Sequence, residues 1–253
     1  MAFIRTEALE SLRRAPRMIV STEGLEGSGK TDFLLRNTPR PVVILDFDFG
    51  TEGPGTREPA LAAGVTRKEL DLTLPAGVRP GSAEATKHIR GVMDAFIEEF
   101  RAAIGTARTL GVDTFSAAWA GQRLARKDDS SYAVYEEEFK SLIRLAYRSE
   151  YTNLILTHHM VRDWKRNKDG AAYKGDTYSR DGMDGVLFAV QLGIRQSYGP
   201  PQVVNGKKVA EGDGFQIDVL KCRDNQGLVG TRFPTMDFPT LCGIVCPEID
   251  WGK

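Results

Sequence analysis

Eight residues, Gly24-Leu25-Glu26-Gly27-Ser28-Gly29-Lys30-Thr31, fit the pattern G-x-x-x-x-G-K-[ST]. Glycines at these positions let successive backbone N–H groups turn inward on an anion, and a helix starting near Lys30, with Asp32 in its first turn, aims the positive end of its dipole there. Lys30 would reach the β- and γ-phosphates of a nucleoside triphosphate and Thr31 would offer its hydroxyl to Mg²⁺. The bland alternative is a Gly/Ser-rich surface turn. Three further places carry acids or imidazoles at the end of apolar runs: Asp46 and Asp48, Asp113, and His158-His159.

Elements must deliver these groups to one place. Met18-Ile19-Val20 reads as a buried strand entering the loop, and Asp32–Arg36 continues it as a helix. Pro41–Asp48 is a second strand. Ligands in open α/β sheets sit beyond the carboxyl ends of parallel strands, which sends Asp46 and Asp48 toward the loop, where one of them would orient an attacking water. A strand-end turn is the plainer reading of either. Residues 50–82, rich in Gly, Pro and Thr, read as a long excursion with one short helix. The spacing of Ile89, Met93, Phe96, Ile97, Phe100 and Ile104 predicts an amphipathic helix over 84–108, with His88 at its edge. It leads into the strand Thr109–Thr114, whose Asp113 would hold Mg²⁺ through its water shell in a Walker B role. Residues 119–130 read as a loop carrying Arg123, Arg126 and Lys127, followed by a helix over about 132–149.

The strand Asn153–Thr157 ends in His158-His159, which sit on opposite faces and lack further metal ligands nearby. A polar side chain sensing the γ-phosphate fits His159 better. From 162 to 180 lie Arg162, Lys165, Arg166, Lys168, Lys174 and Arg180 against Asp163, Asp169 and Asp176, six minus three or net +3, with Trp164, Tyr173 and Tyr178 interleaved. A loop of this kind grips a phosphate backbone and stacks bases; a solvated loop is the alternative. Arg162, Trp164, Lys165, Arg166, Lys168 and Lys174 are the candidate DNA contacts, with 119–130 next in line. Residues 186–194 and 215–220 read as strands, the second running into Lys221-Cys222-Arg223, and short edge strands are expected from there to the end.

With 34 basic and 34 acidic residues the chain has no global field to hold a polyanion, so any such site is a local patch. At 253 residues and 41% hydrophobic content it can bury a large core. The expected division is an amphipathic segment over 1–17, packing on this chain or a neighbour, and one domain over 18–253. No apolar run is long enough for a membrane, and a cytoplasmic location is expected. Cys222, Cys242 and Cys246 are odd in number and read as small buried hydrophobes.

The order of these motifs resembles the RecA-like branch of P-loop ATPases, and more narrowly the small phage-type nucleotide-binding proteins related to single-strand annealing recombinases. The resemblance rests on the loop at 24–31, the strand ends at Asp46-Phe47-Asp48, Asp113-Thr114 and His158-His159, and Lys221-Cys222-Arg223. It implies an α/β fold with a mostly parallel central sheet, flanking helices and C-terminal antiparallel edge strands. It also implies ATP and Mg²⁺, single-stranded DNA, and a homo-oligomer, ring or filament, with nucleotide at subunit boundaries. On this resemblance the water-orienting acid falls on Asp48, where the family has a glutamate, with Glu52 as the fallback. The γ-phosphate sensor falls on His159, and Lys221 and Arg223 look similar to cations that reach a neighbour's nucleotide. A P-loop kinase with 50–82 as its lid, and a nucleotide-dependent binding module with little turnover, are the rival readings.

Overall fold

The computed structural model describes residues 16–53, 55–126, 132–166, 172–199, 202–204, 207–210 and 214–251, so most of the 1–17 segment lies outside the described residues. The expected α/β class is what the chain forms. Six parallel strands make the sheet's centre: β1 (Ile19–Gly24), β2 (Val42–Asp46), β3 (Val65–Glu69), β4 (Thr109–Asp113), β5 (Asn153–Arg166) and β7 (Leu192–Gly199). Antiparallel strands complete it: β6 (Ala172–Arg180) on β5, then β10 (Gly214–Cys222) on β7 and β11 (Arg232–Pro234) on β10. The order is β11-β10-β7-β1-β5-β4-β2-β3. A separate pair, β8 (Gln202–Val204) and β9 (Lys207–Ala210), lies off the sheet path.

Alternation along the strands divides the core in two. Ile19, Leu45, Leu110, Val112, Leu154 and Leu156 face α3 (Ala83–Ala103), α4 (Phe115–Arg126), α5 (Tyr132–Arg148) and α6 (Val186–Ala189). Within this layer Phe96, Phe115, Trp119 and Phe139 meet at ring separations of 5.0–5.9 Å, contacts worth about 0.5–1.5 kcal/mol each beyond their burial. Val20, Ile44, Ile155, Leu192 and Ile194 face α1 (Lys30–Leu35) and α7 (Phe238–Val245). All three cysteines are buried and none is in a disulfide. Among the described residues no helix is long and apolar enough to cross a membrane.

The structure departs from the sequence-based expectations at several places. Of the expected loop 119–130, residues 119–126 belong to the helix α4, because Phe115, Ala118, Trp119, Gln122 and Ala125 supply a helix-spaced buried face built largely of small or polar residues, while 127–130 with Lys127 lie outside the described residues. Within 162–180, residues 162–166 end β5 and residues 172–180 form β6, paired antiparallel, and their charged residues hide the period of two; residues 167–171 lie outside the described residues. Residues 186–189 are the short helix α6, with β7 starting only at Leu192. At the C-terminal end, α7 replaces expected edge strands. The Asp237 carboxylate accepts from Thr240 N at 3.0 Å, and Pro239 sits in the first turn, where its missing N–H costs nothing. The 50–82 excursion contains a 3-10 turn, Gly50–Glu52, the helix α2 (Arg57–Ala60) and the edge strand β3.

Gly111, in β4, marks where α1 presses closest on the sheet. A Cβ there would stand 2.3 Å from Leu34 Cδ1 and 2.6 Å from Leu34 Cδ2, on a side chain with no exposed surface. Gly111→Ala should therefore destabilise the fold by about 1–3 kcal/mol through overpacking. Urea unfolding measures it, and an unchanged midpoint would show that Leu34 can step aside.

Candidate functional site

The phosphate-loop candidate leaves the carboxyl end of β1, and its curvature comes from Gly27 (φ 73°) and Gly29 (φ 92°), conformations that favour glycine. Gly24 is packed so closely that a Cβ would fall 2.2 Å from Ser28 Oγ and 2.6 Å from Gln196 O. Lys30 lies folded back on the loop, its Nζ donating to Gly24 O at 3.0 Å and Leu25 O at 2.8 Å. Burial pulls its pKa below the ordinary lysine value, against the opposing charges of Asp113 and Asp48.

Asp113 meets this loop. Thr31 Oγ1 donates to Asp113 Oδ2 at 2.7 Å and Thr157 Oγ1 donates to Oδ1 at 2.5 Å, so the carboxylate ties β4 to both α1 and β5. The chain after β2 closes against the same pair: a Cβ at Gly50 would lie 3.0 Å from Asp113 Oδ2 and 3.1 Å from Thr31 Oγ1. Burial raises the pKa of Asp113, and the two threonine hydroxyls only partly offset it.

The three candidate water-orienting acids separate. Asp46 is fully buried and engaged, accepting from Thr51 Oγ1 at 2.5 Å and Arg67 Nε at 3.0 Å. Glu52 is exposed and held by Arg67. Asp48 lines a cavity of about 790 Å³ together with Lys30, Thr31, Asp113, Thr114 and His159. Its Oδ2 lies 2.6 Å from His159 Nε2 and accepts from Thr114 Oγ1 at 2.9 Å. Burial pushes the Asp48 carboxyl up, but these bonds more than offset it and leave its pKa below the usual value, while the bond to Asp48 raises that of His159. His158 points the other way, into the core with its ring 5.4 Å from Phe115, and burial keeps it neutral. Among the described residues no three potential ligands cluster to hold a metal.

Glu23, missed in the sequence, anchors the loop from below. It is 2% exposed, and its carboxylate takes Arg180 Nε at 2.8 Å and Nη2 at 2.6 Å on one oxygen and Arg195 Nε at 2.8 Å and Nη2 at 2.5 Å on the other. The available signal was an acid inside a buried strand, which requires cations from elsewhere. Thr114 and Thr157 were likewise missed.

The described DNA candidates, Arg162, Trp164, Lys165, Arg166 and Lys174, lie on the paired strands β5 and β6. Arg162 Nε donates to Tyr178 Oη at 2.9 Å, and Lys174 Nζ lies 5.9 Å from the ring centre of Trp164, which is 68% exposed. Lys165 is exposed and Arg166 pairs in register with Ala172, while Lys168 and the side chain of Tyr173 lie outside the described residues. Lys221 and Arg223 do not join the site. Lys221 pairs in register with Gly193 at the amino end of β7, opposite the loop. Lys221 Nζ donates to Leu187 O and, at 3.0 Å, to Val190 O, and Arg223 donates to Phe188 O with its guanidinium over Tyr147. Both cap the end of α6, a cost of carbonyl satisfaction that the Lys-x-Arg pattern does not reveal.

No protein-family model matches the chain, and no significant match is found among curated proteins. Among solved structures the chain is similar to one described as the crystal structure of the RadB recombinase, at 13% identity over 86% of each chain, with a TM-score of 0.47.

Because burial raises the folded-state pKa of Asp113, its charge costs stability: the protonated form favours the fold, and that gain is lost as pH rises through the raised value. Asp113→Asn should therefore melt above wild type in metal-free buffer at neutral pH, by about 2–4 °C per kcal/mol relieved. The gap should close near the ordinary carboxylate value of about 4. A lower melting point at neutral pH would show that the threonine bonds outweigh burial.

Proposed function

We propose that this chain is an ATP- and Mg²⁺-dependent ATPase of the RecA-like kind that binds single-stranded DNA as an oligomer, in phage-type recombination or replication. The observation that carries the reading is the meeting of Lys30, Thr31 and Asp113 in a glycine-built loop. A second cavity of about 580 Å³ shares Gly29, Asp32 and Thr56 with the first and is walled by Phe33, Phe215 and Met236. It suits the base of a nucleotide whose phosphates lie in the loop.

The donor set fits Mg²⁺, since a hydroxyl and a carboxylate stand together with room beside them and hard oxygen donors suit this ion. Thr31 and Asp113 would hold it, and when bound it supplies neutralising charge to the phosphate oxygens. The chain's own part starts with Lys30, which exchanges two loop carbonyls for phosphate oxygens. Asp48 orients the water: its Oδ2 is engaged with His159 and Thr114, which leaves Oδ1 to accept from the water. Attack of the water oxygen on the γ-phosphorus breaks the bond to the bridging oxygen, ADP departs with the electron pair, and the proton lost by the water passes to Asp48 Oδ1 and on to the released phosphate. His159, bonded to Asp48 and placed where β5 becomes the hairpin, links the γ-phosphate position to the DNA candidates. Lys221 and Arg223 enter only across a subunit boundary, and to do so they must leave the α6 carbonyls. The engaged Asp48 oxygen favours, as a second reading, a nucleotide-dependent binding module that turns over slowly.

Lys30→Ala should reduce ATP hydrolysis by at least about a hundredfold while the thermal unfolding profile is kept, since the side chain serves charge rather than packing. Single-turnover hydrolysis with and without single-stranded DNA checks this, and wild-type turnover in the variant would end the phosphate-loop assignment. Replacing Lys165, Arg166 and Lys168 together by Ala should weaken single-strand binding and reduce the slope of log affinity against log salt by about 2, roughly 0.7 for each phosphate no longer neutralised. An unchanged slope would move the DNA site elsewhere.

A further inference from the structure

Behind the phosphate loop lies a third cavity, of about 550 Å³, inside the range of about 300–1,000 Å³ usual for small-ligand sites. Leu25 and Ser28 of the loop form one wall, Met160 and Tyr178 of the hairpin root another, and Arg195 and Tyr198 of β7 the third. Tyr198 packs one way against Phe215, with ring centres 4.6 Å apart, yet remains 49% exposed. The Ser28 hydroxyl is buried with no hydrogen-bond partner. The charge of Arg195 is already met by Glu23, and Glu26 stands at the rim, so an anion has no place inside. Aromatic walls without a free charge suit an uncharged planar ring. The cations that would hold a phosphate backbone, Arg162, Lys165 and Lys174, stand outside on the hairpin.

We propose that this cavity receives an unpaired nucleobase of the strand held by the hairpin, stacked on Tyr198. The proposal rests on the reading of the chain as a single-strand-binding ATPase and adds a defined base site to it. Glu26, Gly27 and Ser28 line both this cavity and the one that would take the nucleotide's phosphates. Base and ATP would therefore press on the same few residues from opposite sides.

The test compares full-length wild type, Tyr198→Ala, Tyr198→Trp and Tyr178→Ala, each first shown by thermal unfolding to be folded. Each is titrated with a fluorescent single-stranded oligonucleotide and with an abasic strand of the same length. Wild type should prefer the base-bearing strand by about tenfold, Tyr198→Ala and Tyr178→Ala should lose that preference, and Tyr198→Trp should keep it. Wild type, Tyr198→Ala and Tyr198→Trp should bind the abasic strand alike. Equal binding of both strands by wild type, or a preference intact in both alanine variants, overturns the base site while the single-strand reading stands. Failure of wild type to bind either strand overturns both. A free deoxynucleoside bound in a Tyr198-dependent way, with the strand preference unaffected by Tyr198→Ala, reassigns the cavity to a nucleoside and overturns its assignment to the strand.

Discussion

A carboxylate with almost no exposed surface must be met by donors or it will not stay charged, and beside the loop that requirement falls most directly on Asp113. Its two oxygens are met by hydroxyls from two different elements, Thr31 of α1 and Thr157 of β5. The relative placement of loop, β4 and β5 is therefore set by one side chain's need for partners. Gly50 follows from the same constraint, since any larger residue would push toward both the carboxylate and the Thr31 hydroxyl. The penalty left after two neutral hydrogen bonds is what makes the position fit for a cation, whose charge would offset the burial that the threonines only partly compensate.

The other acids near the loop follow a similar logic with different partners. Glu23 is closed on both oxygens by arginines from β6 and β7, Asp46 is met by Arg67 and Thr51, and Asp48 by His159 and Thr114. Each pairing spans a different seam of the structure. Glu23 fixes the hairpin root and β7 to the strand that feeds the loop, and Asp46 fixes the edge strand β3 to β2. Asp48 is the most open of these acids to the cavity beside the loop, and its partner is an imidazole whose charged form their shared hydrogen bond favours.

What the sequence disclosed followed from how strongly each feature is marked. The loop announces itself through fixed glycine spacing, and β2, β4 and the start of β5 through short apolar runs ending in Asp or His. The helix α4 escaped because its buried face contains Ala118, Gly121, Gln122 and Ala125, which do not read as apolar periodicity. The hairpin escaped because neither of its faces is apolar. Glu23 and Arg195 are 172 residues apart, and no local pattern pairs them. Asp113's role in the site was legible as a strand-end acid, but Thr157, its second partner, lies in a run that reads only as strand. Lys221 and Arg223 looked like free cations because the carbonyls they satisfy belong to a helix that the sequence presented as a strand.

The placement of β1 has a consequence for how the molecule comes into being. Its neighbours are β5 and β7, in register from Ile19 with Leu154 and from Val20 with Leu192. β1 precedes both of its neighbours in synthesis, and both edges of its ladder wait for residues more than a hundred positions later. Until then β2, β3 and β4 can pair among themselves, while Ile19 and Val20 have apolar surface and unpaired backbone to hide. Gly24, where β1 passes into the loop, packs against the Gln196 carbonyl of β7, and that packing is missing from a chain that ends before β7. The surroundings of the loop are thus completed late, when the last parallel strand closes the gap beside the first.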